Sequence, residues 1–239
     1  MTPIGSPSQW SDVVQPQVET ILRLITRTWD ELAAPPRNEL EKPIALRLTA
    51  SLQNAPDRGS FPFRVVPEFM ILDGAGHELG RIDIAFMQFV CHDSVYFGIE
   101  CKRLNSDERG EWRWYHTQYV NEGITRFVSS KYAELVDTGG MVGFVLNGDT
   151  ATAISKVDDY IAQKRRELGM AASGSLVEST LCPDEARIRE TQHERGKSHN
   201  FLLHHVFLAG NSNAPLRPEP PPVAKSPAKK KTTKRKPRK

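Results

Sequence analysis

The chain reads as an α+β domain within the broad α/β class: a mixed central sheet with an antiparallel three-strand meander, flanked by helices and followed by a disordered basic tail. Three observations predict it. Apolar residues recur at three- and four-residue spacing in segments on either side of the chain's middle, as they do on one face of a helix. Between those segments lie three runs of alternating character, separated by short polar breaks, which is the pattern of consecutive strands. From Pro215 onward there is no aromatic residue and almost no aliphatic one, so that stretch cannot bury a core.

Taken in order, Pro16 to Ala33 sets Val18, Ile21, Leu22, Ile25, Trp29 and Leu32 on one helical face, and Ala34-Pro35-Pro36 stops it. A second helix is predicted from Asn38, with Leu40, Ile44, Leu48 and Leu52 on its stripe and Pro43 tolerated in the first turn. Strands are predicted over Phe61 to Leu72, Leu79 to Phe89 and Val95 to Leu104, joined as two hairpins through Asp73 to Gly76 and Val90 to Ser94. Trp112 to Tyr132 reads as a helix, and Met141 to Leu146 as a short buried strand behind a Gly139-Gly140 turn. Ala151 to Leu168 is a helix with Ile154, Val157 and Ile161 inward, and Phe201 to Ala209 a last strand. Ala171 to Asn200 carries no clear period.

With 239 residues, 38% of them hydrophobic, the chain is long enough for one domain with its own core. No apolar run is long enough to span a bilayer, and the opening Met1-Thr2-Pro3-Ile4 lacks the regions of a signal peptide, so an intracellular, cytoplasmic protein with no membrane partner is expected. Cys91, Cys101 and Cys182 are an odd, scattered set without CxxC spacing, which argues against a disulfide framework and a zinc cage. The net charge of +3 divides unequally: from Arg217 onward ten Lys or Arg face one acid, Glu219, leaving 22 bases and 28 acids before them. An acidic body therefore carries a basic arm. Its charge concentrates at Lys229, Lys230, Lys231, Lys234, Arg235 and Lys236, and two readings are open: phosphate binding with counterion release, or a solubilising tail.

The chemistry lies in the middle runs. Period-two parity puts Arg81, Asp83 and Ala85 on one face and Ile82, Ile84 and Phe86 on the other. In the next run Tyr96, Gly98, Glu100 and Lys102 oppose Val95, Phe97, Ile99 and Cys101. Antiparallel pairing aligns the two apolar faces only where paired positions have an odd sum, as for Ile84 with Ile99. That register sets Asp83 opposite Glu100 and centres the turn between Cys91 and His92. Two carboxylates and a lysine then converge beside Ala85 and Gly98, small residues that leave room for a ligand. Oxygen donors so grouped suit Mg²⁺ (or Mn²⁺) better than zinc, and Mg²⁺ commonly completes its shell with phosphate. The lysine can orient an attacking water or stabilise charge developing on a phosphodiester. A cross-strand salt-bridge cluster on a solvated face is the other reading. Helix phase adds Glu41, in the stripe of Ile44, Leu48 and Leu52, while Glu39 points away; a carboxylate there either pairs with a base or is a third acid aimed at the metal.

Gly80-Arg81-Ile82-Asp83, then fifteen residues, then Ile99-Glu100-Cys101-Lys102, resembles the PD-(D/E)XK nucleases, the restriction-endonuclease-like superfamily. The resemblance implies a core of helix, antiparallel meander, helix and further strand over Asn38 to Leu146. It implies that Asp83 and Glu100 ligate Mg²⁺, that the Cys101 carbonyl adds a ligand, that Lys102 positions the attacking water, and that Glu41 is the acid of the first core helix. Ile82 stands where the name-giving proline would. The chain then divides into an N-terminal helix at 1–36, a restriction-endonuclease-like nuclease domain at 37–210 and a Pro/Lys/Arg-rich tail at 211–239. The implied function is metal-dependent phosphodiester hydrolysis, in DNA ahead of RNA, as in restriction, phage defence or repair. A homodimer and a helicase or ATPase subunit are further partners this reading leaves open. From another class comes a non-catalytic nucleic-acid-binding or assembly subunit that keeps the fold.

Other segments carry weaker signals. In Trp112 to Phe127, Tyr115, Gln118, Tyr119, Glu122 and Arg126 form a polar and aromatic stripe that either faces the site, with Gln118 or Arg126 near the scissile phosphate, or is a helix surface with a Glu122-Arg126 pair. Trp112, Arg113 and Trp114 interleave base and aromatic, which suits stacking on a nucleic-acid base, or packing of a helix start on the core. His193 and Arg195 are expected in a polar loop, touching phosphate or solvated. His204 and His205 fall on opposite faces of a strand, and no histidine pair has metal-binding spacing.

Overall fold

In a computed structural model, which describes residues 14–55, 62–73, 75–88, 95–129, 132, 136–195 and 199–218, the first apolar stripe forms helix α1 (Val18–Glu31) behind a 3-10 turn at Gln15–Gln17. Val18, Ile21, Leu22, Ile25 and Trp29 are buried, and Trp29 Nε1 donates to Ala209 O at 2.7 Å. Helix α2 (Glu41–Gln53) starts later than Asn38. Pro43 belongs in a first turn, so Leu40 becomes the N-cap and is exposed rather than part of the stripe, while Ile44, Leu48 and Leu52 are buried.

Strands β1 (Phe63–Leu72), β2 (Glu78–Gln88) and β3 (Tyr96–Arg103) form the antiparallel meander, with Ile84 opposite Ile99, an odd-sum pairing as expected. The turn expected at Cys91 and His92 lies outside the described residues. Beyond β3 the chain departs from expectation. Trp112 does not begin a helix: β4 (Asn105–Glu108) and β5 (Glu111–Trp114) make a hairpin instead. Its turn residues Arg109 and Gly110 both have positive φ, 60° and 93°, the backbone that matches strand twist in a tight hairpin and that glycine favours. The helix follows as α3, an α turn at His116–Gln118, a π-helical stretch at Tyr119–Ile124 and an α turn at Thr125–Val128.

Strand β6 (Thr138–Val145) begins before Met141, so Gly139 and Gly140 lie inside a buried strand and are not a turn. The reason is close packing: a Cβ on Gly139 would sit 2.7 Å from the Phe127 ring and one on Gly140 2.4 Å from Ile99 Cδ1. Helix α4 (Thr150–Lys164) is capped by Asp149, which accepts from Thr152 N at 3.0 Å, and buries Ala153, Val157 and Ile161 while Ile154 is half-buried. The segment without a period contains β7 (Val177–Glu178) and β8 (Ile188–Arg195), and β9 (His199–Ala209) closes the set.

The result is a mixed seven-strand sheet in the order β1-β2-β3-β6-β9-β8-β7, mostly antiparallel, with β3-β6 and β6-β9 parallel. Helices cover both faces. On β6, Gly139, Met141 and Gly143 meet Phe127, Gly123 and Tyr119 of α3, while Phe144 stacks on Trp29 of α1 with ring centres 5.4 Å apart. No helix among the described residues is long and apolar enough to cross a membrane. Residues 211–218, read as tail from composition, pack back on the loop before α2: Arg37 N donates to Pro215 O at 3.1 Å, and Arg217 N to Asn38 Oδ1 at 2.5 Å. The rest of the arm, with Lys229, Lys230, Lys231, Lys234, Arg235 and Lys236, lies outside the described residues.

Candidate active site

Asp83, Glu100, Lys102 and Glu41 come together at the end of the meander. Glu100 and Lys102 share the β3 face that looks onto α3, in register with Met141 and Gly143 of β6. The ladder between β2 and β3 runs from Met87-Tyr96 to Ile84-Ile99 and stops there. One step on, Asp83 Oδ2 accepts from Cys101 N at 2.7 Å, so a carboxylate takes the place of a strand carbonyl. Lys102 Nζ donates to Glu100 Oε1 at 2.7 Å, to Glu41 Oε1 at 3.1 Å and to Cys101 O at 3.1 Å. Glu41 also takes the Arg103 backbone N–H on its Oε2 at 3.0 Å. Of the two roles open to Glu41, the geometry therefore displays pairing with a base; as first residue of its helix it is partly exposed, not central to a buried face.

Burial sets the electrostatics. Glu100 is 1% exposed, and burial together with the neighbouring Asp83 charge pushes its carboxyl up to about 7. Burial also holds Asp83 above the ordinary carboxylate range, against the Cys101 N–H that favours its charged form. Burial opposes the charge on Lys102, but Glu100 and Glu41 outweigh it and raise the ammonium pKa. Among the described residues no three His, Cys, Asp or Glu side chains are grouped as a cation's ligands. The available donors are the Asp83 and Glu100 oxygens and the Cys101 carbonyl, and Glu100 Oε2 is buried with no hydrogen-bond donor among the described residues.

Space beside the cluster is smaller than expected. A Cβ on Gly98 would lie 2.8 Å from Ile82 Cδ1 and 3.0 Å from the Tyr96 ring, so those side chains fill the gap that glycine leaves, and Ala85 is buried. Gly123 acts differently, because its missing side chain lets Met141 and the Lys102 stem approach the π-helical turn.

The outlying expectations fare unequally. Arg126 reaches the site, donating to Glu100 Oε1 at 2.5 Å rather than pairing with Glu122. Gln118 is half-buried and accepts from Thr117 Oγ1 at 2.8 Å, with no bond to the carboxylates among the described residues. Tyr119 is buried, its hydroxyl 2.9 Å from His205 Nδ1, so it leaves the polar stripe. Trp112 is half-buried against the core on β5, and Arg113 pairs with Glu108 at 3.1 Å, both on the hairpin instead of a helix start. His193 and Arg195 are not in a polar loop. They are buried in β8, His193 at 2.8 Å from Leu168 O and Arg195 donating to Tyr132 O and Val136 O. Tyr132 is the residue that sequence reading missed: its hydroxyl joins Arg126 to the Arg81 carbonyl, and no local spacing signals it.

Comparison with family models, curated proteins and solved structures finds no match to this chain. The functional reading therefore rests on the chemistry of these residues.

Proposed function

We propose that the chain is a metal-dependent nuclease of the PD-(D/E)XK kind, with a restriction-endonuclease-like core, that hydrolyses phosphodiester bonds in DNA ahead of RNA. One observation carries it: Asp83, Glu100 and Lys102 converge from β2 and β3, with Glu41 from α2, beside a strand that continues in parallel to β6. Hard oxygen donors suit Mg²⁺ or Mn²⁺, and the buried Glu100 Oε2, without a donor among the described residues, is what a ligand oxygen offers. When bound, such a cation polarises a phosphate and makes water a stronger nucleophile. The chain's own groups do the remaining work. Lys102, with its raised pKa, stays an ammonium at neutral pH, where its charge can stabilise charge developing on phosphate, and it can hold a water only by exchanging one of its three present acceptors. Glu41 keeps that ammonium at the end of β3 through its bonds to Lys102 and the Arg103 backbone.

The test is cleavage of plasmid and linear DNA with Mg²⁺ or Mn²⁺. Wild type is expected to cut, and Lys102→Ala and Asp83→Ala to lose about two orders of magnitude or more in rate. Equal cutting by all three proteins overturns the proposal. One observation favours a second reading. The three protons of the Lys102 ammonium are all taken, by Glu41, Glu100 and the Cys101 carbonyl, so the cluster is complete as a salt-bridge network. A non-catalytic nucleic-acid-binding or assembly subunit would then bind in a salt-sensitive way with no metal-dependent turnover.

A further inference from the structure

Glu100 presents its two oxygens to different surroundings. Oε1 accepts from both Lys102 and Arg126, while Oε2 is buried and has no donor among the described residues. A bare carboxylate oxygen in the interior is costly, so its orientation needs a cause. Arg126 supplies one, and Tyr132 in turn sets Arg126. The Tyr132 hydroxyl donates to Arg81 O at 2.6 Å and accepts from Arg126 NH1 at 2.9 Å. A phenol has one proton; with that proton on the carbonyl, a lone pair is left facing the guanidinium. The ring itself is held by other means, edge-on to Phe127 at 5.5 Å between centres and with its main-chain carbonyl accepting from Arg195 at 3.2 Å.

We infer that Arg126 and Tyr132 are positioning residues that fix the Glu100 carboxylate so that Oε2 is presented to a divalent cation. This rests on the nuclease reading above. Arg126, expected from sequence near a phosphate, works here through the carboxylate. By charge alone a guanidinium repels a divalent cation, so removing Arg126 has opposite consequences under the two accounts. If only charge matters, the cation binds more tightly; if orientation matters, it binds more weakly.

The experiment measures Mn²⁺ binding to the full chain by electron paramagnetic resonance of free Mn²⁺, with the Mn²⁺-induced shift in melting temperature as a second readout. Wild type is expected to bind, and Asp83→Asn to lose binding. Tyr132→Phe keeps the ring and every charge, and is expected to weaken Mn²⁺ binding about 10–100-fold with an unchanged circular dichroism spectrum. Arg126→Gln is expected to weaken it similarly. Wild-type affinity in Tyr132→Phe, or tighter binding in Arg126→Gln, overturns this inference and leaves the nuclease reading standing. A wild type that binds no Mn²⁺ overturns both.

Discussion

At the scale of single residues, the site is built by strand alternation and completed by bonds that cross between elements, from Asp83 to β3 and from Lys102 and Arg103 to Glu41. Parity allows only odd-sum pairings, and a turn centred between Cys91 and His92 selects the one with Ile84 opposite Ile99, which brings Asp83 beside β3. It does not foretell that Asp83 bonds to the Cys101 N–H, since that choice depends on the third dimension. Nor does it show how buried His193, His204 and His205 are. Burial lowers His193 and His204 from the ordinary 6.5 to about 4, and also holds His205 well below that ordinary value. Both ring nitrogens of His204 lack hydrogen-bond partners among the described residues. Between the unfolded and folded values the unfolded chain binds more protons, so stability is full above pH 6.5 and falls as pH drops toward 4. His204→Leu removes one such group. Urea unfolding is expected to show the variant losing roughly 2 kcal/mol less than wild type between about pH 7 and about pH 4.5. A parallel acid decline in both proteins would refute the buried neutral histidine.

At the scale of elements, glycines mark where helix α3 meets the sheet. Gly139 of β6 admits the Phe127 ring, and that ring stacks on Phe201 of β9 with centres 5.8 Å apart. An added Cβ would lie 2.7 Å from one ring and 3.0 Å from the other, and two stacked aromatics in a packed core have little freedom to retreat. Gly139→Ala is therefore expected to cost about 1–3 kcal/mol, read as a lower urea midpoint at unchanged slope. An unchanged midpoint would show that the rings can shift. The same close approach explains why Gly139-Gly140 read as a turn: the pattern marks a backbone that needs no side chain, but not whether a loop or a neighbouring helix is the reason. Long strands and amphipathic helices were legible because one period dominates each. The β4-β5 hairpin was hidden because each of its strands is only four residues long and polar residues dominate them, although Arg109-Gly110 is a usable signal. Strand β8 was hidden because Glu190, His193 and Arg195 are polar yet buried, their cost offset by partners far along the chain.

At the scale of the whole molecule, charge is divided between an acidic body and a basic arm, and the structure fixes where the arm departs. Pro215 and Arg217 are tied to Arg37, Asn38 and Glu39, which immediately precede the helix that carries Glu41. The arm is therefore anchored within a few residues of the candidate site. Its attachment point, more than its sequence, gives it a short reach to any polyanion lying there. Truncation at Pro215 would remove the anchor together with the charge and confuse the two effects. Truncation after Pro218 keeps the anchor and deletes nine Lys or Arg. If the arm binds phosphates, the log–log dependence of DNA affinity on salt must flatten in that variant by up to about 0.9 for each phosphate that the arm had neutralised, and affinity at low salt must fall. Fluorescence anisotropy with a labelled duplex across a salt series measures both. An unchanged slope would assign DNA binding to the folded body, whose 28 acids against 22 bases would then require a local basic patch.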